Sequence, residues 1–426
     1  MKLERIVLRN FRNIEDSTLE ADPHLNFLVG SNGQGKTSFI EAIGFLATLR
    51  SFRGAKSEEV VGWGHETGEI AAQVSPEAES GSDWRTDLKV VFHLPERSSD
   101  PLTRIRSRAS KVAFINGKPF KSSTQYLTQR FGSVELGFHA VVFNPSDHDL
   151  VRGEPALRRS FIDRVLAAED VEYLTLLQKY QRVLEQRNAL LKSDFPPPPS
   201  LLSGFTEPLG KIGCLITYKR LEWIFRLSER LTAVGRNIAP NQPLMRLIYL
   251  SNWVPEIQCL SSSNKNLGSP HFTGLPHLPS LEILEQAFWN QLTVLADAEI
   301  RARSSLVGPH RDDWTFFLGD QVLKGHGSQG EVRSALLTLK LCEIELFRSR
   351  TGHRPLLLLD DFSSELDRER RSFLLQFLKN TDLQVFVTTT EDSIGLGKRF
   401  LVSNGRLSTS ESKNDLKKDG HDVATT

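Results

Sequence analysis

Cysteine is scarce in this chain. Cys214, Cys259 and Cys342 are the only three in 426 residues, an odd number at wide spacing. That argues against a disulfide framework and against a cysteine-type zinc site. None of the 11 histidines falls at a metal-ligand spacing from them, so no zinc role is assigned. Long apolar runs are also missing. No stretch approaches the roughly 18 residues that would read as a membrane span. The opening Met-Lys-Leu-Glu-Arg-Ile-Val-Leu carries an acid early and lacks the roughly 7–15-residue apolar core of a secretory signal. A soluble, cytoplasmic protein without a membrane partner is expected. Charge of one sign is absent too: 53 Lys and Arg against 52 Asp and Glu leave +1. A protein basic all over is excluded, and any nucleic-acid surface must be a local patch. No [NT]-K-x-D motif for reading guanine occurs, which argues against a GTPase.

What is present suffices for a large core. Hydrophobic residues make up 39% and charged residues 25%. The length allows two to four domains at about 100–200 residues each. Leu3, Ile6, Leu8 and Phe11 predict an opening strand, and residues 25–29 a short buried one. Residues 87–145 read as β-rich, with Asn116-Gly117 marking a hairpin. Residues 154–192 and 206–236 read as helical, separated by four consecutive prolines. As one helix, 154–192 would span about 58 Å, a stubby arm. Residues 240–280 read as a long irregular connection. Beyond about residue 406 the chain is polar and reads as a disordered tail. Apolar runs at 356–359 and 383–388 suggest strands buried on both faces, hence an α/β sheet.

The most specific signal is Gly30-Ser31-Asn32-Gly33-Gln34-Gly35-Lys36-Thr37, a complete G-x-x-x-x-G-K-[ST]. It follows a predicted strand and opens a predicted helix, the context this motif requires. Its backbone N–H groups and helix N-terminus suit a di- or triphosphate. Lys36 would reach the β- and γ-phosphate oxygens, and Thr37 would place its hydroxyl on Mg²⁺. Four leucines then lead into Asp360-Asp361. Asp360, at the strand end, would reach the metal, and Asp361 is placed to polarise the attacking water as a general base. A second Gly/Ser-rich turn, with Ser328, Gln329 and Gly330, precedes a helix with an apolar stripe from Val332 to Leu346. It is a potential second anion site. Two such loops in one chain allow a composite site in which one copy grips the phosphates and another covers the γ-phosphate.

Residues 103–121 contain six Lys and Arg and no acid, with Arg104, Arg106 and Arg108 alternating ahead of Lys111. In a hairpin they would present one cationic face to a DNA backbone. The helical stretch at 206–236 also leans basic, with Lys219, Arg226 and Arg230 on one face. Neither carries stacking aromatics, which favours duplex backbone contacts. Residues 310–313, His-Arg-Asp-Asp, read either as a salt-bridged turn or as a DNA contact.

Taken in order, the phosphate loop, long insertion, Ser-Gln-Gly-Glu turn, Asp-Asp strand and Ser-Glu-Leu-Asp at 364–367 resemble an ABC-type P-loop ATPase head of the SMC kind. With residues 10–13, 51–53, 142–147, 158–163, 308–313 and 387–390, the resemblance narrows to the RecF family of bacterial recombination mediators. It implies an α/β head with a mixed β-sheet region and an inserted short helical arm. The expected division is head at 1–153 and 305–405, arm at 154–304, tail at 406–426. It implies ATP and Mg²⁺ as cofactors and an ATP-dependent homodimer that grips double-stranded or gapped DNA. Slow, DNA-dependent hydrolysis would reset that dimer. It further implies a role in DNA repair, replication and the SOS response, with RecR and RecO as partners and RecA loaded downstream. Ser328, Gln329 and Gly330 match the signature turn acting across the dimer, and Asp367 a loop contacting the opposite subunit. Arg12 and Arg53 match positions near nucleotide or DNA. Asp361 stands where general ABC heads carry glutamate, and threonines occupy the switch-histidine region, which argues for weak turnover. The rivals are a nucleotide-bound DNA scaffold that never hydrolyses and a different ABC-type ATPase subunit.

Overall fold

The computed structural model describes residues 1–76, 84–95, 109–120, 122–129, 131, 137–193, 198–240, 242–254, 278–361, 368–390 and 397–409. Two compact units emerge. The first joins Met1–Pro145 to His353–Thr426, and the second is Ser146–Gly352.

The first unit opens with β1 (Lys2–Phe11), whose Leu3, Ile6, Leu8 and Phe11 are buried, with a register irregularity between Leu3 and Arg5. β2 (Ile14–Glu20) folds back on it, and β3 (Leu25–Val29) leaves for a different sheet. Then come α1 (Lys36–Thr48), α2 (Ser57–Val60), β4 (Thr67–Ser75), β5 (Thr86–His93), β6 (Ser110–Ile115), β7 (Lys118–Phe120) and β8 (Ala140–Phe143). An antiparallel sheet runs β2-β1-β4-β5-β6-β7. The β6–β7 turn is the predicted Asn116-Gly117, at φ of 49° and 76°. Both residues are left-handed, as the two-residue hairpin turn that matches strand twist requires.

The second unit is mainly helical. The helical stretch expected over 154–192 consists of two helices, α3 (Pro155–Glu169) and α4 (Val171–Leu191). They part at Asp170, whose carboxylate caps α4 by accepting the N–H groups of Glu172 and Tyr173. α5 (Pro199–Ile238) starts at the last of the four prolines, where the missing N–H costs nothing. The connection expected to be irregular contains β9 (Met245–Leu250), a strand buried apart from its last residue and carrying the buried Arg246. α6 (Leu281–Ala302), β10 (Asp313–Leu318), β11 (Gln321–Val322) and α7 (Gln329–Thr351) complete the unit, in a sheet of order β11-β10-β9. The two units divide at 145/146 and 352/353. β10 is tied to β9 by antiparallel pairing, and α7 packs on α5.

The chain then returns to the first unit as β12 (Leu356–Leu359), α8 (Arg368–Asn380), β13 (Val385–Thr389), β14 (Lys398–Ser403) and β15 (Arg406–Thr409). A second sheet runs β15-β14-β3-β13-β12-β8, with its members parallel except for β15. β12 and β13 are interior and buried on both faces, which accounts for their unbroken apolar runs. β15 occupies residues expected to belong to the tail. Asn404 and Gly405, at φ of 48° and 71°, turn the chain back onto β14. Among the described residues, no helix is long and apolar enough to cross a membrane. Cys214 and Cys342 are buried free thiols.

Buried charge is concentrated in the second unit. Glu169, at the end of α3, lies 3.9 Å from Arg350 of α7. Burial pushes its carboxyl up to about 7; Arg350 opposes the shift, Glu343 of α7 reinforces it, and Arg226 and Trp223 of α5 oppose it. A folded pKa above the ordinary value of 4.5 means that the stability Glu169 contributes is complete below that value and is lost as pH rises through about 7. Glu169→Gln copies the protonated form. In urea titrations the variant should match the parent near pH 4.5 and exceed it at pH 8.5 by up to about 3 kcal/mol. Equal stability at the higher pH would show that burial does not raise the Glu169 carboxyl.

Candidate functional site

Residues 30–37 join β3 to α1. The loop is confined from outside. A Cβ on Gly30 would collide with the carbonyl oxygen of Val402 in β14. Gly33 and Gly35 sit at φ of 79° and 109°, a region open to glycine. Asn13, in the β1–β2 turn, donates to the Gly33 carbonyl (3.2 Å) and accepts the Ser38 hydroxyl (2.9 Å). Gln34 accepts the Asn404 N–H on its side chain (2.6 Å) and the Gly405 N–H on its carbonyl (2.8 Å). The β14–β15 turn therefore braces the loop.

Lys36 is buried and folded back, donating to the carbonyls of Gly30 (2.7 Å) and Ser31 (2.9 Å). Burial lowers its pKa, against the pull of Asp361 and Asp360. Thr37 donates its hydroxyl to Asp360 Oδ1 at 2.9 Å, and Thr388 of β13 donates to the same oxygen at 2.8 Å. Burial raises the Asp360 carboxyl; the Thr388 and Thr37 hydroxyls counter that, and Asp361 adds to it. Asp361 has a left-handed backbone (φ 51°), and its N–H donates to the Thr388 hydroxyl at 2.7 Å. The structure thus brings Lys36, Thr37, Asp360 and Asp361 together as the motifs implied. Thr388 and Asn13 hold them there, and sequence reasoning gave neither that role. Their only signal was membership of the resembling stretches.

Glu41 of α1 was missed as well. It is fully buried and receives Arg12 Nε (3.0 Å) and Nη2 (2.6 Å), with the Ser51 hydroxyl at 2.5 Å and Arg53 at 3.6 Å. Arg12 also donates to the Glu59 carbonyl. Its guanidinium is therefore committed to the fold, whereas Arg53 is half exposed.

In the second unit, Ser328 and Glu331 form a reciprocal cap on α7. The Glu331 N–H donates to the Ser328 hydroxyl (3.2 Å), and the Ser328 N–H donates to the Glu331 carboxylate (2.7 Å). Arg152 holds the preceding turn through the Gly327 carbonyl. Ser328 and Gln329 are exposed, and Gly330 is half exposed.

The expected DNA face fares differently. Arg104, Arg106 and Arg108 lie outside the described residues, as does Asp367. Lys111 points inward: its ammonium donates to the Leu49 carbonyl at 2.6 Å and sits over the Phe45 ring. Desolvation, followed by Arg50, lowers its pKa. An ammonium so engaged does not belong to a solvent-facing phosphate contact. On α5, Lys219 pairs with Asp170 and Glu172, and Arg226 with Glu222, which neutralises much of that basic face.

The His-Arg-Asp-Asp segment resolves as structure. His310 bonds the Tyr180 hydroxyl and the Ser305 carbonyl, and Asp313 forms a two-pronged pair with Arg158. Asp312 is fully buried and accepts Tyr249 Oη (2.7 Å) and Trp253 Nε1 (2.9 Å), with the Thr217 hydroxyl at 3.4 Å. Asp312→Ala would strand buried donors and should cost about 3–5 kcal/mol in urea unfolding. A loss below about 1 kcal/mol would refute this structural role.

Known proteins resemble this chain in sequence and fold. The family described as RecF/RecN/SMC N terminal domain matches residues 2–395. The DNA replication and repair protein RecF of Geotalea uraniireducens is 34% identical over 96% of this chain and all of its own. That of Trichlorobacter lovleyi is 32% identical over 96% and 98%. A solved structure of the recombination mediator RecF with ATP, in the RecFOR pathway, has a TM-score of 0.78 at 27% identity, covering 96% of this chain and 97% of the other. An Smc head from Pyrococcus furiosus, at 14% identity and a TM-score of 0.52 over 97% and 98% of the two chains, shares the fold. From these matches, the chain belongs to the RecF family within the RecF/RecN/SMC group.

Proposed function

We propose that this protein is an ATP-dependent DNA-binding protein of recombinational repair and replication, acting in the cytoplasm as an ATP-driven homodimer with slow turnover. One observation carries the reading: the Thr37 hydroxyl and the Asp360 carboxylate meet at 2.9 Å beside the phosphate loop. Two hard oxygen donors side by side fit Mg²⁺, which when bound neutralises phosphate charge. The names of the relatives and the ATP in the similar structure support the same reading.

Lys36 exchanges its two loop carbonyls for phosphate oxygens, which relieves a buried ammonium. The loop's N–H groups and the start of α1 cradle the remaining phosphates. Asp361 accepts a proton from the attacking water. Its side chain is one methylene shorter than glutamate, which accords with slow hydrolysis. Ser328, Gln329 and Gly330 of a second copy cover the γ-phosphate, so that closure needs both ATP and a partner. The closed dimer grips duplex or gapped DNA, with Arg104, Arg106 and Arg108 as backbone contacts. RecR and RecO are the partners and RecA the recombinase loaded, in keeping with the pathway named for the similar structures.

Sedimentation and duplex binding on one sample, with and without ATP, test this reading; ATP should raise both. Ser328→Arg should bind ATP as a monomer but lose ATP-driven dimerisation, because a bulky cation fills the place of the partner's γ-phosphate. Dimerisation at parental levels would refute the composite site. Asp361→Asn cannot accept the proton, so turnover should fall by about 10²–10⁴-fold while ATP and duplex binding persist. Loss of ATP binding in that variant would instead place Asp361 among the metal ligands.

A further inference from the structure

Trp63 is 98% exposed, whereas Trp223, Trp253 and Trp314 are 3%, 1% and 1% exposed. A ring of that size left wholly in water is uncommon in a folded domain. The backbone that carries it is pinned. Gly62 donates its N–H to the Asn10 carbonyl (2.7 Å), Arg12 donates to the Val60 carbonyl (2.8 Å), and Phe11 bridges to Val61. His65 closes the turn onto the Gly62 carbonyl, and Gly64 supplies a left-handed φ of 86°. A Cβ on Gly62 would stand 3.3 Å from the carbonyls of Asn10 and Arg12, so the close approach favours glycine. The turn therefore presents the indole outward from a fixed point of the backbone, so binding there orders one side chain and no loop.

The β1–β2 turn that clamps Trp63 is also the turn that grips the phosphate loop. Residues 10–12 hold the Trp63 turn, and Asn13 bonds Gly33 and Ser38. The neighbouring Arg12 guanidinium spends its in-plane N–H groups on Glu41 and Glu59. Near Trp63 in the chain the exposed charges are mixed: Arg53 and Lys56 against Glu58, Glu59 and Glu66. Such a rim gives a nucleic-acid backbone no concentrated positive patch. A mononucleotide needs none, because the loop already holds its phosphates. We infer that Trp63 is the stacking platform for the purine base of the nucleotide held by residues 30–37. This inference rests on the nucleotide reading above.

Calorimetry on the full chain with ATP and with inorganic tripolyphosphate, both with Mg²⁺, separates base from phosphate. Trp63→Ala should weaken ATP about 5- to 150-fold, the range that base–aromatic stacking spans. Its tripolyphosphate affinity should equal the parent's, and Trp63→Phe should stay within a few-fold of the parent for both ligands. Parental ATP affinity in Trp63→Ala would overturn the inference alone, as would equal losses for ATP and tripolyphosphate. Unchanged ATP binding with lost self-association would also overturn it, assigning the ring to a second copy. A parent chain that binds neither ligand would overturn the nucleotide reading and this inference together.

Discussion

One carboxylate oxygen holds the candidate site together. Asp360 Oδ1, buried at the end of β12, accepts a hydroxyl from Thr37 at the start of α1 and another from Thr388 of β13. The Asp360 N–H donates to the Phe143 carbonyl of β8. The ends of three parallel strands, β8, β12 and β13, and the start of α1 are thus fastened at the edge where the phosphate loop leaves the sheet. A carboxylate removed from water is costly unless hydrogen-bonded, and the two hydroxyls offset much of that cost. In open α/β sheets this edge, at the carboxyl ends of the strands, is where ligands collect.

The loop itself is stabilised by parts of the chain far from it. Asn13 reaches it from the β1–β2 turn, and residues 404 and 405 reach it from the β14–β15 turn. Glu41, one turn into α1, gathers Arg12, Ser51 and Arg53 around a carboxylate with no exposed surface. These contacts fix the direction of α1, and with it the direction of the N–H groups at its start.

The second unit depends on buried ion pairs. Arg187 meets Glu299, Arg220 meets Asp163, and Arg158 meets Asp313, each arginine almost wholly enclosed. Such pairs add little net stability over apolar packing, but breaking one leaves an uncompensated charge. They therefore favour one arrangement of α3, α4, α5 and α6 over near alternatives. Lys340, inside α7, is the extreme case: its ammonium is buried with no hydrogen-bond partner among the described residues and lies 3.6–3.7 Å from Glu343 and Asp147.

Much of this was legible in the residues. The apolar positions of β1, the apolar runs of β12 and β13, the Asn116-Gly117 turn and the strand–loop–helix of residues 25–48 are local patterns, and each formed where it was expected. The break at Asp170 was not foreseen, and the strand β9 inside a Pro- and Ser-rich stretch and the strand β15 in a polar segment were misread. A capping side chain, a partner strand and a hairpin turn decided them, and hydrophobic period does not encode those. Lys111 was counted as a free cation, yet it caps the Leu49 carbonyl, because burial of a long side chain depends on what packs above it. By itself the sequence determined the chemistry available at Gly30 to Thr37 and at Asp360-Asp361. Only the tertiary structure decided that Thr37 and Asp360, 323 positions apart, share a hydrogen bond, because pairing between distant strands is set by which buried surfaces fit together and not by the residues beside them.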